Sequence, residues 1–250
     1  MTFRRNIVIT GASSGLGEGM ARQFAARGHH LALCARRTDR LDALATELRE
    51  RHAGAVIVTR KLDVNDHDQV FTVFREFRAE LGTLDRVIVN AGLGKGQPIG
   101  SGRFDANRDT VCTNFVAGLA QCEAALEILR EQNAGHLVVV SSFSALRGMP
   151  RNLTAYAASK AGIAVLAEGI RVDTLDTPIA VTCLLPGYIE SEMTGRAGRT
   201  PLLADAGQGA RALVRAIERE PARAYVPALP WAPLSALVRV LPARLLRKLG

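Results

Sequence analysis

The chain has 250 residues, 48% hydrophobic and 22% charged, enough for one large α/β core and ordinary for a globular protein. Its net charge of +8 comes from 28 arginines and four lysines against 24 acids, scattered among one another rather than massed. With no recognition motif, that dispersal excludes nucleic acid as the expected partner. Cys34, Cys112, Cys122 and Cys183 have no metal-ligand spacing; the expectation is four buried thiols, no metal and a reduced, cytoplasmic setting. Residues 1–6 run straight into a strand, so no leader is expected, and no repeat or linker interrupts the chain.

In chain order, short β-branched runs at residues 6–10, 30–35, 55–61, 84–90, 136–142 and 179–184, and a brief one near Tyr225, read as strands. Residues 16–27, 37–51, 67–81, 106–131 and 154–175 carry helical periodicity. In the second of these, Leu41, Leu44, Ala45 and Leu48 mark one buried stripe. This alternation predicts a single Rossmann-type α/β fold, a doubly wound parallel sheet of about seven strands with helices on both faces. Residues 1–226 form the expected nucleotide-binding unit, and 227–250 a tail. Ligands of such sheets bind at the carboxyl ends of the strands.

The first strand runs through Thr10 into Gly11, Ala12, Ser13, Ser14, Gly15, Leu16 and Gly17. Glycines let the backbone approach a pyrophosphate, and the following helix directs its free N–H groups at the anion. The second strand ends in Ala35, where an acid would bond a ribose 2′-hydroxyl. Arg36 and Arg37 follow, cations at the unfavourable end of a helix, and suit a 2′-phosphate; the expected cofactor is NADP(H). Asp63 and Val64 close the third strand, where Asp63 either accepts from an adenine amino group or starts a turn. Asn90, Ala91 and Gly92 close the fourth and are small enough to lie beneath a cofactor.

Tyr156 and Lys160 are four apart on one helix face. A phenol titrating near about 10 is a poor base at neutral pH, and a neighbouring ammonium draws it down. The pair therefore exchanges a proton with a carbonyl or alcohol oxygen. The strand before it delivers Ser142 to the same strand end, to polarise that oxygen, and turns Ser141 away; His136, at the opposite end, reads as structural.

These motifs, in this order, resemble the classical short-chain dehydrogenases/reductases over residues 5–226: TGASSGLG at 10–17, NAG at 90–92, the paired serines, YAASK at 156–160 and PGYIES at 186–191. The resemblance implies a tetrad of Asn114, Ser142, Tyr156 and Lys160. Tyr156 would be the acid/base, Ser142 the anchor of the substrate oxygen, and Lys160 the group that lowers the tyrosine and binds the nicotinamide ribose. Asn114 would hold a water in the proton relay, although from its residue type it reads as a core polar group. Pro186, Gly187 and Ile189 would line the nicotinamide side, with Ser191 bonding the carboxamide. The resemblance further implies a small-molecule carbonyl or alcohol substrate and a homodimer or homotetramer built on the helices carrying Asn114 and Tyr156. The alternative is a catalytically silent NADP(H)-sensing regulator, which would have no need of the Tyr156–Lys160 pair.

Two features depart from the family. The interval from Ser142 to Tyr156 is one residue longer, at 151–154, in a stretch expected to line the substrate pocket with 93–102 and 192–203. Within that last segment, Arg196 and Arg199 would meet either an anionic substrate or solvent. In the tail, Trp231, Leu234, Val238, Leu241, Leu245 and Leu249 recur at three or four among Arg239, Arg244, Arg247 and Lys248, with no acid after Glu220. It reads as a membrane-surface helix, a flap over the substrate cleft, or a helix packed on its own domain or a partner subunit, broken in two by Pro242. Its apolar positions favour a hydrophobic substrate.

Overall fold

The computed structural model describes residues 3–192 and 202–247. Arg196, Arg199, Lys248 and Leu249 lie outside the described residues. Seven parallel strands form one sheet: β1 (Asn6–Thr10), β2 (His30–Ala35), β3 (Ile57–Lys61), β4 (Arg86–Val89), β5 (Gly135–Val140), β6 (Ile179–Pro186) and β7 (Arg223–Val226), in the order β3-β2-β1-β4-β5-β6-β7. The chain steps outward from β1 to β3, returns to β4 beside β1, and then steps outward the other way. This reversal opens a crevice at the carboxyl ends of β1 and β4.

Both faces of the sheet are covered, so the central strands carry continuous apolar runs rather than an alternation, while the edge strands β3 and β7 are partly polar. Val8 faces the layer of α3 (His67–Leu81), α5 (Ala117–Gln132) and α6 (Thr154–Asp173), among Phe74, Phe77 and Leu129. Its neighbours Ile7 and Ile9 face α1 (Gly15–Ala25), α2 (Thr38–Arg51) and α7 (Ala206–Glu218), among Met20, Phe24, Leu41 and Leu213. Successive residues of one strand thus feed two cores.

β1, β2 and α3 have their expected bounds. β5 ends at Val140, before the expected residue 142; Ser141 N still donates to Leu184 O of β6 at 2.9 Å, and Ser142 follows as the N-cap of a short 3-10 turn. α7 was not expected, although Ala210, Leu213, Val214 and Ile217 recur at helical spacing and are buried, and the Asp205 carboxylate caps the helix by accepting from Gln208 N at 2.9 Å. The expected helix 106–131 is α4 (Phe104–Val111), a π-helical turn (Cys112–Val116) and α5. Cys112 is exposed on that turn, correcting its expected burial; the other three thiols are buried.

At the amino ends of the strands lies a buried polar cluster. Arg86, 2% exposed, donates from Nε to His136 Nδ1 at 2.9 Å and pairs through Nη2 with Glu220 Oε1 at 3.1 Å; Arg4 pairs with Glu220 at 3.0 Å. Because Nδ1 accepts, the His136 proton sits on Nε2 and is donated to Thr182 Oγ1 at 2.9 Å. Burial, with Arg86 and Arg4 repelling, holds His136 well below the usual histidine range, so its 3.6 Å approach to Glu220 is not an ion pair. His136 is structural, as expected.

The tail forms α8 (Ala228–Val240) and α9 (Ala243–Leu246), parted at Pro242. Trp231 and Val238 turn inward and Leu229, Leu237 and Val240 outward. Leu246, rather than Leu245, is the buried position of α9. No helix among the described residues is long and apolar enough to cross a membrane.

Candidate active site

A cavity of about 610 Å³ runs along the carboxyl ends of β1 to β4. Gly11, Ser13, Ser14, Gly15 and Leu16 line it from the turn after β1, with Arg36 and Arg37 from the start of α2, Asp63 and Val64 after β3, and Asn90, Ala91 and Gly92 after β4. Gly11 has φ +65°, and a β-carbon there would stand 2.9 Å from Ala91 Cα. Thr10 Oγ1 accepts from both Asn90 N and Ala91 N at 3.0 Å, which ties the two turns together. Gly17 does not line this cavity: a β-carbon on it would meet Asn90 Nδ2 at 2.7 Å, so it serves the packing of α1 on the cradle.

Ser14 stands at the N-cap of α1 without capping it. Its hydroxyl accepts instead from Arg37 Nη2 at 2.6 Å, so the first-turn amides remain free for an anion. The glycine cradle, these amides and the adjacent guanidinium fit a dinucleotide. Arg37 also donates to Glu192 at 3.0 Å, and Arg40 pairs with the same carboxylate, whose acidity is strengthened by hydrogen bonds from Arg40 and then Arg37. Arg36 is less engaged, its side chain 66% exposed and 4.0 Å from Asp63. Asp63 starts a turn, accepting from Asn65 N at 3.1 Å. Glu192 escaped sequence reasoning because its partners lie 155 and 152 residues away.

A second cavity, of about 480 Å³, adjoins the first. Ser142 and Tyr156 line it, as do Asn152 and Leu153 of the longer loop and residues 94–97, in agreement with two of the expected pocket segments. Of the third, Glu192 lines the first cavity, Leu202 and Leu203 line neither, and residues 193–201 lie outside the described residues. Pro186, Gly187 and Ile189, expected on the cofactor side, stand in the wall of this cavity, whereas Ser191 borders both. Tyr156 also borders both.

Lys160 follows Tyr156 by one turn of α6, where burial brings its ammonium down to about 8. Its Nζ donates to Val140 O, on the last residue of β5, at 3.0 Å. Burial pushes the Tyr156 phenol above its ordinary range, a hydrogen bond with Ser142 opposes this, and Tyr188 adds a smaller upward push. The expected lowering of the phenol by Lys160 is not among these causes; the one that lowers it is the hydrogen bond with Ser142, and burial outweighs that. Ser141, expected to turn away, borders both cavities, and its hydroxyl donates to Lys160 O at 2.7 Å.

Asn114, on the π-helical turn, is 2% exposed and lines neither cavity. Its Oδ1 accepts from Leu93 N at 2.7 Å, and its Nδ2 donates to Leu93 O at 2.9 Å and Ser159 Oγ at 3.1 Å. A β-carbon on Gly92 would lie 3.2 Å from Asn114 Oδ1 and 3.3 Å from Lys160 Nζ, so the bare glycine lets both groups converge beneath its loop. The turn inserts a residue into the helix, a distortion that hydrophobic periodicity does not report.

A tyrosine set between a glycine-cradled crevice and a second cavity is the arrangement of a Rossmann-fold oxidoreductase. The family model described as short chain dehydrogenase matches residues 5–201, and the chain belongs to that family of nicotinamide-dependent oxidoreductases. It is 55% identical over 245 residues to an uncharacterised oxidoreductase of Mycobacterium tuberculosis, covering 98% of this chain and 97% of that one. Among solved structures, a short-chain dehydrogenase from Sphingobium yanoikuyae in complex with NADPH has 26% identity and a TM-score of 0.81, over 96% of this chain and 97% of that one. A short-chain dehydrogenase/reductase from Burkholderia phymatum in complex with NAD has 22% identity and a TM-score of 0.84, over 95% and 94%, and shares the fold.

Proposed function

We propose that the protein is an NADP(H)-dependent oxidoreductase that exchanges a hydride between the nicotinamide ring and the carbon of a carbonyl or secondary alcohol. The position of Tyr156 in the wall common to both cavities carries this reading, because proton exchange must occur where cofactor and substrate meet. Tyr156 moves the proton at its phenol oxygen, and Ser142 hydrogen-bonds both that phenol and the substrate oxygen. Lys160 supplies a buried ammonium toward the ribose, and Asn114 fixes the Leu93 backbone beside it. Bound NADPH would supply the hydride.

Preference for NADP(H) is supported by Ala35 in place of an acid and by Arg37 held against Ser14, with Arg36 beside it. The NADPH complex of the Sphingobium yanoikuyae relative agrees with it. Residues 1–226 are the catalytic unit in this reading, and the tail closes its substrate side while leaving an outer face for a membrane surface or partner. Exposed Val116 and Leu119 near the Asn114 turn, with Val165 and Val172 on α6, support a homodimer or homotetramer. Three buried, unpaired thiols suit a cytoplasmic protein.

Tyr156→Phe tests the assignment against the silent-sensor alternative. Ketone reduction is expected to fall by about 100-fold or more, while NADPH binding, read by nucleotide fluorescence, is kept. Unchanged turnover in the variant would overturn it.

A further inference from the structure

Trp231 belongs to the tail, yet its indole stands in the wall of the substrate-side cavity with Phe143 and Tyr188. It is 4% exposed, whereas Leu229 and Val240 of the same helix are each 76% exposed. Its ring meets Phe143 edge-on at 4.7 Å between centroids and Tyr188 at 5.5 Å. The indole lies over Gly187, where a β-carbon would overlap it. Phe143 directly follows Ser142, and Tyr188 directly follows Gly187, so three rings flank the approach to Tyr156. The indole N–H is buried with no acceptor among the described residues. Leaving such a donor unpaired is unfavourable, and an oxygen brought by a ligand would relieve it. No carboxylate lines this cavity among the described residues, and its cations, Lys95 and Arg103, come from the 93–103 side, apart in sequence from the three rings.

We propose that Trp231, with Phe143 and Tyr188, determines specificity by selecting bulky, ring-bearing apolar ketones and their alcohols over small ones. The inference rests on the reductase reading above and names its substrate class. Aromatic walls exclude water and match an apolar ring, and 480 Å³ is far more space than a three-carbon ketone fills. Because these contacts hold substrate and transition state alike, losing them raises KM and leaves kcat nearly unchanged.

The chain has one tryptophan, so its indole emission is that of Trp231. Menthone, a ring ketone, titrated into the full chain with and without NADP+ is expected to shift this emission saturably, and acetone is not. Trp231→Ala is expected to raise the KM for menthone by about tenfold or more, with kcat within about threefold, and NADPH affinity unchanged. Trp231→Phe should restore most of the loss. Emission indifferent to menthone in protein that binds NADPH overturns the proposal, as does an unchanged menthone-to-acetone preference in Trp231→Ala. A saturable shift without reduction of any ketone supports the ring-binding wall and removes the reductase reading; turnover of menthone with indifferent emission does the reverse.

Discussion

Replacing Lys160 with methionine is expected to stabilise the fold while abolishing turnover. A lysine ordinarily loses its proton near 10.5, and burial brings Lys160 to about 8. At about 1.4 kcal/mol per tenfold change in the proton equilibrium, keeping the ammonium charged at pH 7 costs about 3 kcal/mol relative to the unfolded chain. Methionine fills similar space without charge, but it leaves the Val140 carbonyl without its donor, a loss of about 1 kcal/mol. The net gain is about 2 kcal/mol, or roughly 4–8 °C in Tm for a chain of this size. The unfolded chain holds the proton up to about 10.5 and the folded one only to about 8. Wild-type stability from this group therefore rises with pH across that window, and the advantage of methionine shrinks there. Urea unfolding followed by circular dichroism at pH 7 and at about pH 10, beside a ketone-reduction assay, measures both effects. A variant less stable than wild type at pH 7, or one whose advantage is the same at the higher pH, refutes the reasoning.

Arg37→Ala should weaken NADPH binding by roughly 5–30-fold, corresponding to about 1–2 kcal/mol for a charge-assisted contact on a partly exposed side chain, and NADH by less than about threefold. Arg36→Ala, at a more exposed position, should do less; equal losses of both nucleotides in titration would contradict the 2′-phosphate assignment. Sedimentation velocity should show a dimer or tetramer that Val165→Asp, placing a charge on a side chain 67% exposed in the single chain, shifts toward monomer. A wild-type monomer at micromolar concentration would remove the assembly proposal.

Much of the fold is legible because a parallel sheet covered on both faces needs continuous apolar strands, and Ile7, Val8 and Ile9 supply them in one run. The cradle is legible for a similar reason: close backbone approach demands glycine at position 11, and few alternatives to a bound anion explain an uncapped helix behind it. What escapes notice depends on distant partners. Arg86 looks like an error in a buried strand until Glu220 meets it from 134 residues away. The tail's apolar stripe is visible in sequence, but which side faces inward was set by Gly187, whose bare backbone makes room for Trp231. Most of α7 is periodic, and only its small, polar opening Ala206–Gln208 blurs the pattern.

The two ends of the sheet separate stability from function. At the carboxyl ends, Lys160 is buried at a cost and its removal should help the fold. At the amino ends, Arg86 is buried but held by His136 through Nε and Glu220 through Nη2, with Nη1 unpartnered among the described residues. Glu220→Ala leaves that guanidinium without its counterion. Breaking a buried pair costs about 3–5 kcal/mol, lowered to about 2–4 because the carboxylate retains some contact with water. Glu220 lies far along the strands from Tyr156, so activity per folded molecule should be unchanged. Urea unfolding together with kcat measured at a temperature where the variant is folded reads both. A stability loss under about 1 kcal/mol would mean that Arg86 finds other compensation. A lowered kcat in folded protein would mean that the two ends are coupled through the sheet, and the division between them would fail.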